Sequence, residues 1–480
     1  MQKLVSKVFQ CLSLPIVALL LAVPATGQTG ASAPTPLLSA GTPAAWLFIF
    51  KLNAAIFPSD ANAPRDCAFG GAAQPYPAFS QRFVWASDAS AQLQDGSGLV
   101  GTSANDPLGA TFGQIYNGGF HFVVWNDQFY QHPTIAGCTD SCSSPWGHSK
   151  GIVAWNEAGE GVLLQVTTPS WPAAGGSANP RTGDGNTLGC VADNDVKVSQ
   201  DFFSLKLSEP DLEKVLDALA NASVVTDVAN PQLVNNGGPP AIRQRVSALG
   251  QKSPSKAVLK FTLSTGVGLI SKPSGLPVPP WQLVSAELGG VDLRVATWWT
   301  SPAIPSTTSA APPACWSAGL IKPGAVQNAT SGSWAGKVMS LKGGPATDGN
   351  HAKIGVTTAA GSSLTIFGDM NQQGALSGRC TSSQNGRGGL FFVVNSAPLH
   401  DSVAAMITGD SAPSAGPMPS VLRSTPPTSL VKSARPPKPT AVKRHSQGKN
   451  IKRCLRRKAV IGRGVHVVCH RRFAGGHPRL

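Results

Sequence analysis

Apolar residues along this chain come in short runs separated by stretches rich in Gly, Pro, Ser and Thr, a pattern that predicts many strands and few helices. The nearly continuous run at 45–52 reads as a buried strand and 82–86 as a second. Residues 122–125 form a third, ending in the polar turn Asn126-Asp127-Gln128. Residues 152–155 and 162–166 flank a turn at 156–161 and predict a hairpin; 354–357 and 364–367 repeat that arrangement around 358–362. Residues 293–299 are a further strand. Helical signals are confined to two places. In 209–219, Pro210 lies near the start, acids occupy the first turn, and apolar groups fall at 212, 215, 216 and 219. Residues 280–288 are the second. The fold class predicted is α+β.

The two hairpins open with the same side chains. His148 and Lys150 precede the first, His351 and Lys353 the second, 203 positions later. In extended chain the side-chain period is two, so each histidine shares a face with its lysine. An imidazole can attack phosphorus or pass a proton, and an ammonium beside it can hold the non-bridging oxygens, so the pairing suits phosphate chemistry. One such triplet carries no weight; two at the heads of matching hairpins suggest a duplicated unit, with halves at 45–225 and 226–410. No cluster of carboxylates at metal-ligand spacing stands out, and Cys138-x3-Cys142 lacks a second ligand pair. No metal or other cofactor is expected.

Composition changes the picture mainly at the two ends. Lys3 and Lys7 precede an apolar segment at 11–23 and small residues at Ala25 and Gly27, which predicts a signal peptide over 1–27 and no membrane span in the mature chain. A flexible lead-in is expected over 28–44. Eight cysteines remain after residue 27, an even number that suggests disulfides in an exported protein, whether secreted, periplasmic or held at the cell envelope. The formal net charge of +15 is unevenly spread. Residues 411–480 contain 16 Lys and Arg and no Asp or Glu, and the rest of the chain carries 23 basic and 24 acidic groups. That tail is Pro/Ser-rich, then basic, and reads as mostly disordered, with a hairpin expected between Cys454 and Cys469. Its charge suits DNA or an anionic cell envelope as partner.

Several motifs, in order, resemble the deoxyribonuclease II family. They are Trp125-Asn126-Asp127-Gln128, Gly147-His148-Ser149-Lys150-Gly151, Asn186-Thr187-Leu188-Gly189-Cys190, His351-Ala352-Lys353, Gly368-Asp369-Met370-Asn371 and Gly386-Arg387-Gly388-Gly389. The similarity spans roughly 45–400. It implies a phospholipase D-like pseudo-dimer: two β-sheet halves with flanking helices, joined so that both His-x-Lys motifs form one active centre. It also implies metal-independent endonucleolytic cleavage of DNA at acidic pH, leaving 3′-phosphate and 5′-hydroxyl ends.

On this reading His148, Lys150, His351 and Lys353 are catalytic. One histidine attacks phosphorus to give a phosphohistidine and the other protonates the leaving 5′ oxygen, while the lysines hold the phosphoryl oxygens. Which histidine is the nucleophile stays open. Asn371, 20 residues after His351, and Thr168, at the same offset from His148, are candidates to bind substrate, with Asp369, Asn126 and Gln128. Two departures matter. Val166-Thr167-Thr168-Pro169 stands where many members carry His-Ser-x-Pro. The Asp that follows the lysine by five residues in phospholipase D is replaced by Trp155 and Thr358, which favours DNA over lipid. Two other classes stay open: a catalytically inactive DNA-binding or surface-attachment protein on the same scaffold, and a phospholipase D-like phosphodiesterase.

Overall fold

A computed structural model describes residues 32–63, 66–128, 141–169, 174–181, 188–190 and 195–415. The expected signal segment at 1–27, Cys138, and the expected Cys454–Cys469 hairpin lie outside the described residues. Residues 37–43, expected to belong to a flexible lead-in, instead form a small hairpin of β1 (Leu37–Ser39) and β2 (Thr42–Pro43). The Leu37 N–H donates to the Thr111 hydroxyl over 3.0 Å, which fastens the hairpin to the first helix.

The chain then builds β3 (Trp46–Lys51), β4 (Phe83–Ser87), β5 (Gln94–Asp95), α1 (Pro107–Gly113), β6 (His121–Asn126), β7 (Lys150–Trp155), β8 (Gly161–Val166), β9 (Gln200–Leu207), α2 (Glu209–Asn221) and β10 (Val234–Asn235). Eight of these strands make one antiparallel sheet in the order β10-β6-β7-β8-β9-β3-β4-β5. After α3 (Pro240–Ser247) come β11 (Leu259–Thr262), β12 (Gly268–Lys272), α4 (Pro280–Glu287), β13 (Leu293–Ala296), β14 (Val326–Asn328) and the hairpin β15 (Ser331–Trp334) and β16 (Lys337–Ser340). β17 (Ile354–Thr357), β18 (Leu364–Gly368), β19 (Gly389–Asn395) and α5 (Ala397–Met406) finish it. The second sheet runs β11-β12-β19-β18-β17-β13-β14. The divide between sheets therefore falls after β10 rather than at 225/226.

The two sheets share a pattern. β3-α1-β6-β7-β8-β9-α2 along the chain corresponds to β12-α4-β13-β17-β18-β19-α5, and the strand neighbours β6-β7-β8-β9-β3 correspond to β13-β17-β18-β19-β12. Phe48 of β3 and Phe203 of β9 stack on Phe367 of β18 at 4.2 and 4.8 Å between ring centres, so the sheets meet face to face over one continuous apolar core. Every residue of β3, β7 and β8 is buried. That explains why they read as nearly continuous apolar runs: neither face of these central strands meets water.

Cys67 pairs with Cys190 and Cys315 with Cys380, and Cys142 is disulfide-bonded as well, which fits an oxidising compartment. The tail begins later than expected. Arg294 binds the Ile407 carbonyl and the Ser411 hydroxyl, and the Ala415 N–H bonds to Ser306, so the chain is docked up to 415. No helix among the described residues is long and apolar enough to cross a membrane.

Candidate active site

Each histidine hangs on the strand entry of the opposite sheet. The His148 N–H donates to the Gly388 carbonyl over 2.9 Å, and the His351 N–H donates to the Ser199 carbonyl over 2.8 Å. Gly388 and Ser199 immediately precede β19 and β9, which occupy corresponding places in the two sheets. The crossings are thus reciprocal, and they bring together two histidines far apart in sequence.

His148 is buried, and its Nδ1 donates to the Asp369 carbonyl at 2.6 Å, leaving the Nε2 lone pair for another partner. Two residues on, the Lys150 ammonium donates to Asp127 Oδ1 at 2.6 Å, and Arg387 donates to the other carboxylate oxygen at 2.7 Å. Burial by itself would raise the Asp127 carboxyl; Lys150, His148 and Arg387 together hold it well below the carboxylate range. Burial, then Lys150, holds the His148 imidazole well below its ordinary value, with Arg387 and Lys353 adding to the effect. Trp125 donates to the Ser149 hydroxyl at 2.8 Å and lies against Gly151, where a Cβ would come within 2.5 Å of its ring.

The second pair is built differently. The Gln200 amide lies 3.3 Å from His351 Nδ1, and Asp195 Oδ1 lies 3.9 Å from the same nitrogen. With the amide donating, the ring proton sits on Nε2, a buried atom with no hydrogen-bond partner among the described residues. Trp298 meets the imidazole edge to face at 4.3 Å between ring centres. Lys353 bonds to the His351 carbonyl through its ammonium and to Asp201 Oδ1 through its N–H, but forms no salt bridge among the described residues. Burial and then Lys150 push the Lys353 ammonium down, while burial pushes the Asp201 carboxyl up. Burial followed by Lys353 and Lys150 holds His351 well below its ordinary value, and His148 contributes too. The two imidazoles and two ammonium groups therefore share one electrostatic environment.

Against this geometry, the family model described as Deoxyribonuclease II matches residues 72–410, well over half of the chain. The chain belongs to the deoxyribonuclease II family. Membership points to DNA as substrate and to phosphodiester hydrolysis as the reaction class. No curated protein matches the chain.

The other residues singled out from the deoxyribonuclease II motifs fall into two groups. Asn371 donates to Gln373 at 2.9 Å while its Oδ1 has no partner among the described residues, and the Thr168 hydroxyl is likewise buried without one among them. These two are not structural equivalents, although they share an offset. Gly151 faces Gln165 in the first hairpin and Ile354 faces Phe367 in the second, so the first hairpin is longer by one residue and Thr168 corresponds to Met370. It is Thr167 that corresponds to Asp369. The Thr167 hydroxyl accepts the Asp201 N–H at 2.8 Å, and Asp369 Oδ1 accepts the Leu390 N–H at 3.0 Å, at matching points of β9 and β19. Burial pushes the Asp369 carboxyl up to about 7. Asn126 Oδ1 caps a turn by accepting the Gln128 N–H at 2.8 Å, while its buried Nδ2 has no partner among the described residues.

Residues that sequence reasoning passed over include Asp127 as an ion-pair partner, Arg387, Gln200 and Asp195. Arg387 lay in plain view inside Gly386-Arg387-Gly388-Gly389, but nothing along the chain couples it to an aspartate 260 residues earlier. Among the described residues no group of three or more His, Cys, Asp or Glu is arranged to hold a metal ion.

Proposed function

We propose that this protein is an exported, metal-independent acid endodeoxyribonuclease that leaves 3′-phosphate and 5′-hydroxyl ends through a phosphohistidine. The observation that carries the proposal is the opposite hydrogen bonding of two buried histidines in one site. His148 donates through Nδ1 to a carbonyl, so its Nε2 is a nucleophile. His351 accepts at Nδ1 from Gln200, so its Nε2 bears a proton. In the first step the His148 Nε2 lone pair forms a bond to phosphorus as the bond to the 5′ oxygen breaks, and that oxygen takes the Nε2 proton of His351 in its imidazolium form, which keeps the added proton on Nδ1 beside Asp195. In the second step water gives its proton to His351 Nε2 and attacks phosphorus, the P–N bond breaks, and the 3′-phosphate leaves.

Both imidazoles resist protonation, so an acid form of His351 requires low pH, where Asp195 beside Nδ1 offsets the added charge. Lys150 and Lys353 supply positive charge where a two-metal enzyme would place cations. Asn371 and Thr168, each with a buried polar atom lacking a partner among the described residues, are suited to contact the substrate backbone. The corresponding strand orders of the two sheets support a phospholipase D-like pseudo-dimer. Lys3, Lys7 and the apolar run that follows support export, and the basic tail is read as a tether to DNA or to an anionic envelope.

The test is plasmid cleavage by the full chain in excess EDTA across pH. Nicking is expected near pH 5, with 3′-phosphate ends. DNA retention without cleavage would instead indicate a binding protein on this scaffold.

A further inference from the structure

We propose that Arg387 is a positioning residue: reaching from the second sheet, it fixes the segment that presents His148 and Lys150. The proposal rests on the functional reading above. The Arg387 side chain is nearly inaccessible, at 9 % exposure, and Trp146, Gly147 and Asp127, which accept from it, belong to the first half of the chain. Its Nε–H donates to the Trp146 carbonyl at 3.0 Å, and one terminal nitrogen donates to the Gly147 carbonyl at 2.6 Å and to Asp127 Oδ2 at 2.7 Å. Trp146 and Gly147 lead directly into His148, and Asp127 holds Lys150. A single planar group thereby sets the approach of both side chains.

The backbone around Arg387 is arranged to deliver it. The buried Lys272 ammonium donates to the carbonyls of Arg387 at 2.7 Å and Asn385 at 2.9 Å. On either side, glycine is required by close approach. A Cβ at Gly388 would lie 2.1 Å from the Ala222 carbonyl oxygen, and one at Gly386 would lie 2.7 Å from the Ser144 hydroxyl. The Gly388 carbonyl takes the His148 N–H, and the Ser144 hydroxyl donates to the Gly386 carbonyl at 2.7 Å. The Gly-Arg-Gly-Gly segment is pressed flat against the first half so that the arginine can cross.

Apart from holding the segment, Arg387 adds positive charge beside His148, acting with burial and Lys150 against the pull of Asp127. A merely structural arginine would leave the titration of His148 unchanged; this one would not. The experiment uses Arg387→Ala and Arg387→Lys in the full chain, with His148 followed by NMR of labelled imidazole in the absence of DNA. In Arg387→Ala the His148 pKa is expected to rise. The acid limb of the pH–rate profile should move up with it, kcat should fall roughly 100-fold with KM little changed, and added guanidinium ion should restore part of the loss. Arg387→Lys keeps Asp127 paired but cannot span all three acceptors, so it is expected to lose roughly ten-fold in kcat with little shift of the acid limb.

An unmoved His148 titration in Arg387→Ala overturns the proposal whether or not the protein cleaves DNA. If Arg387→Ala does not fold, parental kcat in Arg387→Lys overturns it. Absence of cleavage by the parent protein would count against the functional reading alone, because the NMR titration is independent of turnover.

Discussion

The imidazole of His148 is oriented by the main-chain carbonyl of Asp369, 2.6 Å from Nδ1, and not by a carboxylate. The acceptor is neutral, so it fixes the tautomer without drawing a proton onto the ring. The Asp369 side chain is then separable from this task, and its own burial has a different consequence.

With a folded-state pKa near 7 against an ordinary 3.8, Asp369 retains its proton in the native state over a range where the unfolded chain has lost it. Stability from this group therefore falls as pH rises from about 4 to 7 and stays reduced above that. Asp369→Asn keeps an acceptor for the Leu390 N–H and removes the ionisation. It is expected to be more stable than the parent at pH 8, by on the order of 2–4 kcal/mol, and little different at pH 4. Urea unfolding at the two pH values checks this; an equal effect at both would sink it.

The two histidines should fail in different ways. Thymidine 3′-(4-nitrophenyl phosphate) has a leaving group that needs no proton. With it, His351→Ala is expected to release a burst of nitrophenolate and stall as the phosphohistidine, whereas His148→Ala releases none. Loss on DNA is expected to exceed about 1000-fold in both variants. A burst in His148→Ala and none in His351→Ala would exchange the two roles.

The lysines differ because, among the described residues, only the Lys150 ammonium has a carboxylate partner. Lys150 is paired with Asp127 at 2.6 Å, and Lys353 has no such pairing among the described residues. Lys150→Met leaves Asp127 with Arg387 alone and is expected to destabilise the fold by about 2 kcal/mol. Lys353→Met removes a buried ammonium that repels Lys150, so stability should hold or rise while kcat falls roughly 100-fold or more. Thermal melts beside initial rates separate these effects, and equal destabilisation by the two substitutions would count against this account.

What could be read along the chain was what short-range pattern determines. The hairpins β7-β8 and β17-β18 and the helix α2 were legible because their apolar spacing and turns are local. The histidine–lysine pairs were legible because residues two apart share a face. The partners of those pairs were not. Asp127 and Arg387 are joined by a contact that only packing of one sheet on the other creates. The Thr168 equivalence failed because one extra residue in the first hairpin shifts the register, and an offset counted along the chain is blind to that. The hairpin at 37–43 was missed for a similar reason: its composition is that of a linker, and its order comes from docking against α1.

Residues 411–480 carry 16 Lys and Arg and no acid, while the remainder is close to neutral. If the tail tethers DNA, most of the salt dependence of binding should reside there, because each phosphate neutralised releases condensed counterions. Truncation is best placed after Ala415, since Arg294 and Ser306 hold the preceding residues against the second sheet. Binding is measured with both His148 and His351 changed to Ala, so that cleavage does not intervene. Removing the tail should then flatten the slope of log K against log salt by at least about 4. An unchanged slope would rule out a DNA tether and leave the anionic envelope as the partner to examine with vesicles of acidic lipid. A slope that flattens while kcat on short oligonucleotides stays constant would place the tail in substrate capture and leave the chemistry to the two imidazoles.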